Sequence, residues 1–226
     1  MTRLRLRDDV ARRHRHIDTA SHGTIHVVGD VHGCIAELQT LWDRLNPASG
    51  DLVVFVGDLV GKGPASDDVV EFVRTRDNAV SVRGNNEELV LRGLAEADLS
   101  PESRDAIASF PLVVTWDDAM VVHGGVRPDR ALVEHGPQEL LETRAIPPEN
   151  GYRGPFWFDA YEGPPRVFFG HTVLSDPFVG EWSVGLDTGC VHGRQLTAYD
   201  CDRDAVVRVP AEQTYRHRSD DRMVHV

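Results

Sequence analysis

The chain has 226 residues, 41% of them hydrophobic, with 24 Lys and Arg against 36 Asp and Glu and a formal net charge of −12. That length supports a sizeable core in one large domain, and the acidic balance argues against a general binder of duplex nucleic acid or membrane surfaces, whose affinity rests on cations meeting phosphates. No run reaches the roughly 18 apolar residues of a membrane helix; Cys34, Cys190 and Cys201 form neither a CxxC pair nor an even framework, so the expected compartment is the reducing cytoplasm.

Residues 1–22 are rich in Arg and His, lack the apolar stretch of a signal peptide, and read as an N-terminal extension to a main domain over 23–210. Three apolar, β-branched runs then share one form: "TIHVVGD" (24–30), "DLVVFVGD" (51–58) and "NAVSVRGN" (78–85) each end in Gly plus a polar residue. Runs of this kind are buried strands. Helical patterns separate them at 34–45 and 66–76, the second with Ser66 as its expected N-cap. Strand, helix, strand, helix, strand predicts a parallel sheet with right-handed crossovers, and ligands of such sheets lie beyond the carboxyl ends of the strands. All three endings are therefore expected at one edge.

A helical stretch follows over about 87–109, then a hairpin over 111–125 turning at Asp117 and Asp118, and further strands at 166–171, 182–189, 194–200 and 205–210. These later strands are expected to form a second, largely antiparallel sheet packed on the first. The Pro- and Gly-rich segment 144–165 reads as a long surface loop, and 211–226 as a loosely held tail.

The strand endings carry groups suited to divalent metal: Asp30 and His32 in "GDVHG", Asp58 in "GDLVGKGP", Asn85 in "RGNNE", with His123 in "VVHGG" and His171 in "FFGHT" following glycine-flanked turns. Each alone has an ordinary reading, since "GD" and "GN" are common turn pairs and a lone His is more often a satisfied polar residue. Their joint occurrence at strand ends favours a mixed carboxylate, imidazole and carboxamide site for Mn, Fe or Zn.

Taken together, "GDVHG", "GDLVGKGP", "RGNNE", "VHGG", "GHT" and "LDTGCVHG" resemble the calcineurin-like metallophosphoesterases. Within them the chain is similar to the branch of phosphoprotein phosphatases that includes symmetrical diadenosine tetraphosphatases, and "KGP" and "WFDAYEGP" resemble the ApaH-like phosphatases more than the eukaryotic signalling enzymes. The resemblance implies an α/β fold with two mixed β-sheets in a sandwich flanked by α-helices. It implies two divalent metal ions, manganese expected and Fe, Zn, Co or Mg as alternatives. Asp30, His32 and Asp58 would hold one, and Asp58, Asn85, His123 and His171 the other. The implied activity is hydrolysis of a phosphoanhydride or phosphomonoester: a dinucleoside polyphosphate, a capped RNA end, polyphosphate, or phosphoserine and phosphothreonine in proteins. A monomer or small homo-oligomer is expected.

Lys62, the only lysine in the chain, and Arg144 match family cations that grip the phosphoryl oxygens; the ordinary reading of each is a solvated side chain. Arg127 and His192 are further substrate-binding candidates. Phe156, Trp157 and Phe158 either stack on a nucleobase or anchor their loop in the core. The departure from the pattern is Asn86, where the family has the histidine that protonates the leaving oxygen. Asparagine can donate a hydrogen bond but cannot act as a general acid. Asn86 is thus an introduced substitution, a natural residue of an enzyme whose leaving group needs no proton, or the mark of a non-catalytic phosphate-ligand sensor. Gly61, which replaces the aspartate that orients this histidine in signalling phosphatases, fits the ApaH-like branch.

Overall fold

The computed structural model describes residues 4–226, and residues 1–3 of the N-terminal extension lie outside the described residues. In chain order the elements are α1 (Asp8–Ala11), β1 (His14–His16), β2 (Ile25–Val28), α2 (Ile35–Leu45), β3 (Leu52–Phe55), α3 (Ser66–Arg74), β4 (Ala79–Ser81), α4 (Asn85–Leu91) and α5 (Pro101–Ser109). The second half contributes β5 (Val113–Trp116), β6 (Ala119–Val121), α6 (Pro137–Glu142), α7 (Trp157–Ala160), β7 (Arg166–Phe169), β8 (Phe178–Val179), β9 (Ser183–Gly185), β10 (Gln195–Asp200) and β11 (Ala205–Pro210).

β2, β3 and β4 are parallel neighbours, as their spacing with α2 and α3 requires. Both faces of this sheet are covered, which explains why the runs are apolar throughout rather than alternating. Val28, Val53 and Phe55 face α2 and α3, while Ile25, Val27, Leu52 and Val54 face the second sheet. The expected hairpin turns at Asp117–Asp118 between β5 and β6.

Two expectations about the sheets are corrected. β10 and β11 do not join the second sheet: β10 pairs antiparallel with β2, giving a five-stranded order β11-β10-β2-β3-β4. The other sheet runs β1-β5-β6-β7-β9-β8 and is mixed, because β6, β7 and β9 are mutually parallel. Two sheets with helices outside them are the α/β sandwich that the resemblance implies.

Local corrections have local causes. The helical stretch over 87–109 is broken, since Gly93 takes φ 69° and α5 starts afresh at Ser100, whose hydroxyl accepts from Ser103 N–H ahead of Pro101. Ser66 does not cap α3; Ala65 holds that position, and the Ser66 hydroxyl accepts from Gly61 N–H at 2.9 Å. The 144–165 loop is anchored, not merely superficial: Trp157 is fully buried and donates to the Gly124 carbonyl, Phe158 is buried beside it, and this region joins the cluster under the mixed sheet. Core packing therefore accounts for Trp157 and Phe158, and base stacking does not. The tail is also held. Val224 is buried, its N–H donates to Val173 and its carbonyl accepts from Ser175, while the Tyr215 hydroxyl bonds Glu37. At the other end β1 pairs with β5, so residues 14–16 add a strand to the sandwich. No helix among the described residues is long and apolar enough to cross a membrane.

Candidate metal centre

Parallel strands point their carboxyl ends the same way, and here β2, β3 and β4 of one sheet and β6, β7 and β9 of the other bring theirs to one edge. From the five-stranded sheet, β2 delivers Asp30 and His32, β3 delivers Asp58, and the turn beyond β4 delivers Asn85 at the start of α4. From the mixed sheet, β6 delivers His123, β7 delivers His171 and β9 delivers Asp187.

These side chains meet. His32 Nε2 lies 3.7 Å from Asp30 and 3.5 Å from Asp58, and His123 Nε2 lies 3.4 Å from Asp58. Asn85 Oδ1 is 2.9 Å from His123 Nε2 and 2.8 Å from His171 Nδ1. The His171 N–H is shared between both Asp30 oxygens. Ligand atoms of Asp30, Asp58 and His123 all fall within 4.8 Å of one another.

The backbone turns that make this convergence possible are unusual. His32, Asp58, Lys62 and His171 have φ of 49°, 51°, 66° and 62°, a left-handed region that costs a residue with a Cβ on the order of 1–3 kcal/mol. Close approach adds a second demand. A Cβ on Gly84 would stand 2.2 Å from Asp58 Oδ1, and one on Gly170 would stand 2.0 Å from Asp30 Oδ1, so both carboxylates are seated directly on glycine backbone.

The donor set fits divalent metal. His32 and His123 hydrogen-bond through Nδ1 to the carbonyls of Val60 and Val56, which fixes the tautomer and turns the Nε2 lone pair toward the cluster. Burial, with Lys62 beside it, lowers the His32 pKa to about 4, and burial, with Arg144, takes His171 well below its usual range. Neutral imidazole is the ligating form, and burial favours it at His32 and His171. Burial and the neighbouring Asp187 and Asp58 carboxylates push Asp30 well above the ordinary carboxylate range. Burial acts on Asp58 in the same direction, but His123, His32, Lys62 and the Asn86 N–H overcome it and hold that group low. Buried Asp30, Asp58 and Asp187 beside the imidazoles of His32, His123 and His171 form a set of oxygen and nitrogen donors suited to a divalent cation.

Lys62 Nζ is 2.7 Å from His32 Nε2, and Arg144 Nη2 is 2.7 Å from His171 Nε2, so both expected phosphate-gripping cations border the cluster. Asn86 stands on Asp58: its N–H donates to Oδ1 at 2.8 Å and its side-chain amide donates to Oδ2 at 2.5 Å. Arg127 is not brought in; its guanidinium pairs with Asp129. His192 bonds the Arg216 carbonyl through Nδ1, with Nε2 3.4 Å from Arg218, and is therefore tied to the tail.

Three participants were not singled out from the sequence. Asp187 lay inside the quoted "LDTGCVHG", but its type alone did not separate it from a turn residue. Arg218 had no pattern to mark it. Glu87, next to Asn86, could have been found as the acidic residue three positions after Gly84 in a capping box. It is fully buried, and its carboxylate accepts from the N–H groups of Gly84 at 2.7 Å, Asp58 at 2.9 Å and Val60 at 3.1 Å. Burial, with Asp58 nearby, pushes its pKa up to about 7 against the pull of those donors. Glu87 thus fastens the Asp58 and Asn85 turns to each other. Glu87→Ala leaves three buried donors without a partner and is expected to lower stability by about 3 kcal/mol or more. Glu87→Gln, which keeps one acceptor oxygen, should cost about 1–3 kcal/mol. Urea denaturation of the two variants checks this, and midpoints equal to the parent's would remove Glu87 from this role.

Comparisons with known proteins agree with this geometry. The family model of calcineurin-like phosphoesterases matches residues 23–208. The chain is 30% identical over 233 residues to an asymmetrical bis(5'-nucleosyl)-tetraphosphatase of Halalkalibacterium halodurans, covering 83% of this chain and 94% of the relative. A symmetrical bis(5'-nucleosyl)-tetraphosphatase of Vibrio campbellii is 24% identical, covering 76% and 93%. The crystal structure of a candidate diadenosine tetraphosphatase superposes with a TM-score of 0.79 at 27% identity, covering 88% of this chain and 98% of that one.

Proposed function

Because this chain belongs to the calcineurin-like phosphoesterase family, and is a metal-dependent phosphohydrolase on that ground, we propose that the bond it cleaves is a phosphoanhydride and that its substrate is a dinucleoside polyphosphate. The observation that carries this reading is Asn86. It lies against Asp58, in the position from which a leaving oxygen would be protonated in the family, and has no proton to give. A phosphate or nucleotide released from an anhydride leaves as a stable anion, whereas the alkoxide of serine or threonine does not. The names of the relatives support the same substrate class, and the acidic balance of the chain disfavours long polyanions.

Asp30, His32 and Asp58 would hold one ion, and Asp58, Asn85, His123 and His171 the other, with Asp58 shared. Two divalent ions, manganese preferred, would polarise the phosphoryl group and activate water for in-line attack. The rest falls to the chain itself. Lys62 provides a compact charge and Arg144 a planar fork for the nonbridging oxygens. The Asn86 amide, fixed by Asp58, orients through hydrogen bonding alone. Glu87 and the glycines under Asp58 and Asp30 keep these groups in place while substrate exchanges.

The test is turnover, with manganese, of diadenosine tetraphosphate, inorganic polyphosphate and a phosphothreonine peptide, with products separated by chromatography. Diadenosine tetraphosphate should be cleaved fastest, and the products will show whether the cut is asymmetrical. Faster cleavage of the peptide would overturn the proposed substrate class. Metal binding without turnover on any substrate would favour a phosphate-ligand sensor.

A further inference from the structure

Arg144 is not the last cation in its direction. Its Cζ lies 4.3 Å from the ring centroid of Tyr152, and the Cζ of Arg218, from the C-terminal tail, lies 5.0 Å from the same centroid. Arg218 also donates to the Tyr152 hydroxyl at 2.5 Å and to the Arg222 carbonyl at 2.7 Å, with Nη1 3.4 Å from His192 Nε2. The tail is pinned on both sides of it, at Tyr215 by Glu37 and at Val224 by Val173 and Ser175. Arg218 is therefore held beside Arg144, one aromatic ring away from the metal ligand His171.

The pair has no carboxylate partner, a lack it shares with other described arginines such as Arg44, Arg104 and Arg194, but it lies beside the candidate ligand cluster. Among the described residues, Arg7, Arg74, Arg83, Arg127, Arg130, Arg166, Arg203 and Arg208 each have a carboxylate partner. Arg144 and Arg218 form no such ion pair, and Arg144 Nε is buried without any hydrogen-bond partner. That Nε lacks an acceptor in a chain where acids outnumber Lys and Arg 36 to 24. Two guanidiniums flanking one ring, neither with an ion-pair partner, repel each other, and an anion within reach of both offsets that cost.

We propose that Arg218, with the Tyr152 hydroxyl, forms a second anion subsite that holds the phosphate next along a polyphosphate chain from the one gripped by Arg144. This rests on the phosphoanhydride reading and deepens it, since a phosphomonoester has nothing to place there. Tyr152 keeps the two forks apart, and its loop and the tail together form the wall that follows the substrate's phosphates.

The experiment is calorimetric binding, in magnesium-saturated buffer, of orthophosphate and of tripolyphosphate to the full chain, Arg218→Ala and Arg218→Lys. Arg218→Ala should weaken tripolyphosphate about tenfold, the scale of one charge-assisted contact, while orthophosphate changes by less than about twofold. Arg218→Lys should fall between, because it keeps the charge and loses the fork; it also serves if the alanine variant melts early. Equal losses for both ligands, or no loss for either, would overturn the subsite. Turnover of diadenosine tetraphosphate by the parent chain is measured alongside. If that fails while the tripolyphosphate preference holds, the substrate reading falls and the subsite stands; if turnover is present and the preference is absent, only the subsite falls.

Discussion

Asn86→His is expected to raise turnover of phosphoserine by about 10²–10⁴, the usual contribution of a positioned general acid, and turnover of a phosphoanhydride by much less. The facing turn carries Gly61, where even a methyl group would come within 3.2 Å of Asn86 Oδ1, and Asn86 already points its amide at Asp58. An imidazole anchored at that point would have one nitrogen on Asp58 and the other toward the leaving oxygen. The unequal response is the informative part, because an alkoxide needs the proton and an anhydride leaving group does not. Steady-state kinetics on both substrates decides the matter: an equal gain on the two would show that position 86 acts on metal or phosphate binding rather than on the leaving group.

Asp58→Asn is expected to remove nearly all activity, a loss on the order of 10³ or more, since even partners outside a ligand shell cost 10–100-fold. Asp58 lies within 3.5 Å of His32 and 3.4 Å of His123 and accepts both Asn86 donors, so its carboxylate meets imidazoles from both halves of the candidate ligand set. The isosteric amide keeps the shape, but it deletes the charge and turns an NH₂ toward either an imidazole or another amide. Metal content by elemental analysis should fall together with turnover. Full metal occupancy in an inactive Asp58→Asn would mean that Asp58 serves catalysis without holding metal.

How much of this was legible in the sequence differs by element. The runs ending at Asp30, Asp58 and Asn85 could be read because a doubly covered parallel strand has one appearance, continuous and β-branched, and each stops at a glycine that the geometry needs. His123 and His171 were legible as residue types at strand ends, but their sheet was not. α6 and α7 have six and four residues, too short for helical periodicity to announce that β6, β7 and β9 are joined by parallel crossovers. β10 was read as a strand and placed in the wrong sheet, because apolar content records burial and not the identity of a neighbour. The Trp157 and Val224 anchors depend on contacts distant in sequence, and so do Arg218 and Tyr152. No local pattern could show two arginines meeting over one ring.

The convergence of both sheets at one edge also has a consequence for how the protein is made. Asp30 and His171 sit far apart along the chain, and neither sheet alone holds a full set of ligands, so the centre exists only after loops of long sequence separation have closed. Its assembly is therefore a late event of folding, and once metal binds the native state alone, mass action couples ion concentration to the survival of the whole sandwich. A newly made chain would then be committed to its native topology by the ion it captures, and a chain starved of that ion would be the one left open to proteolysis.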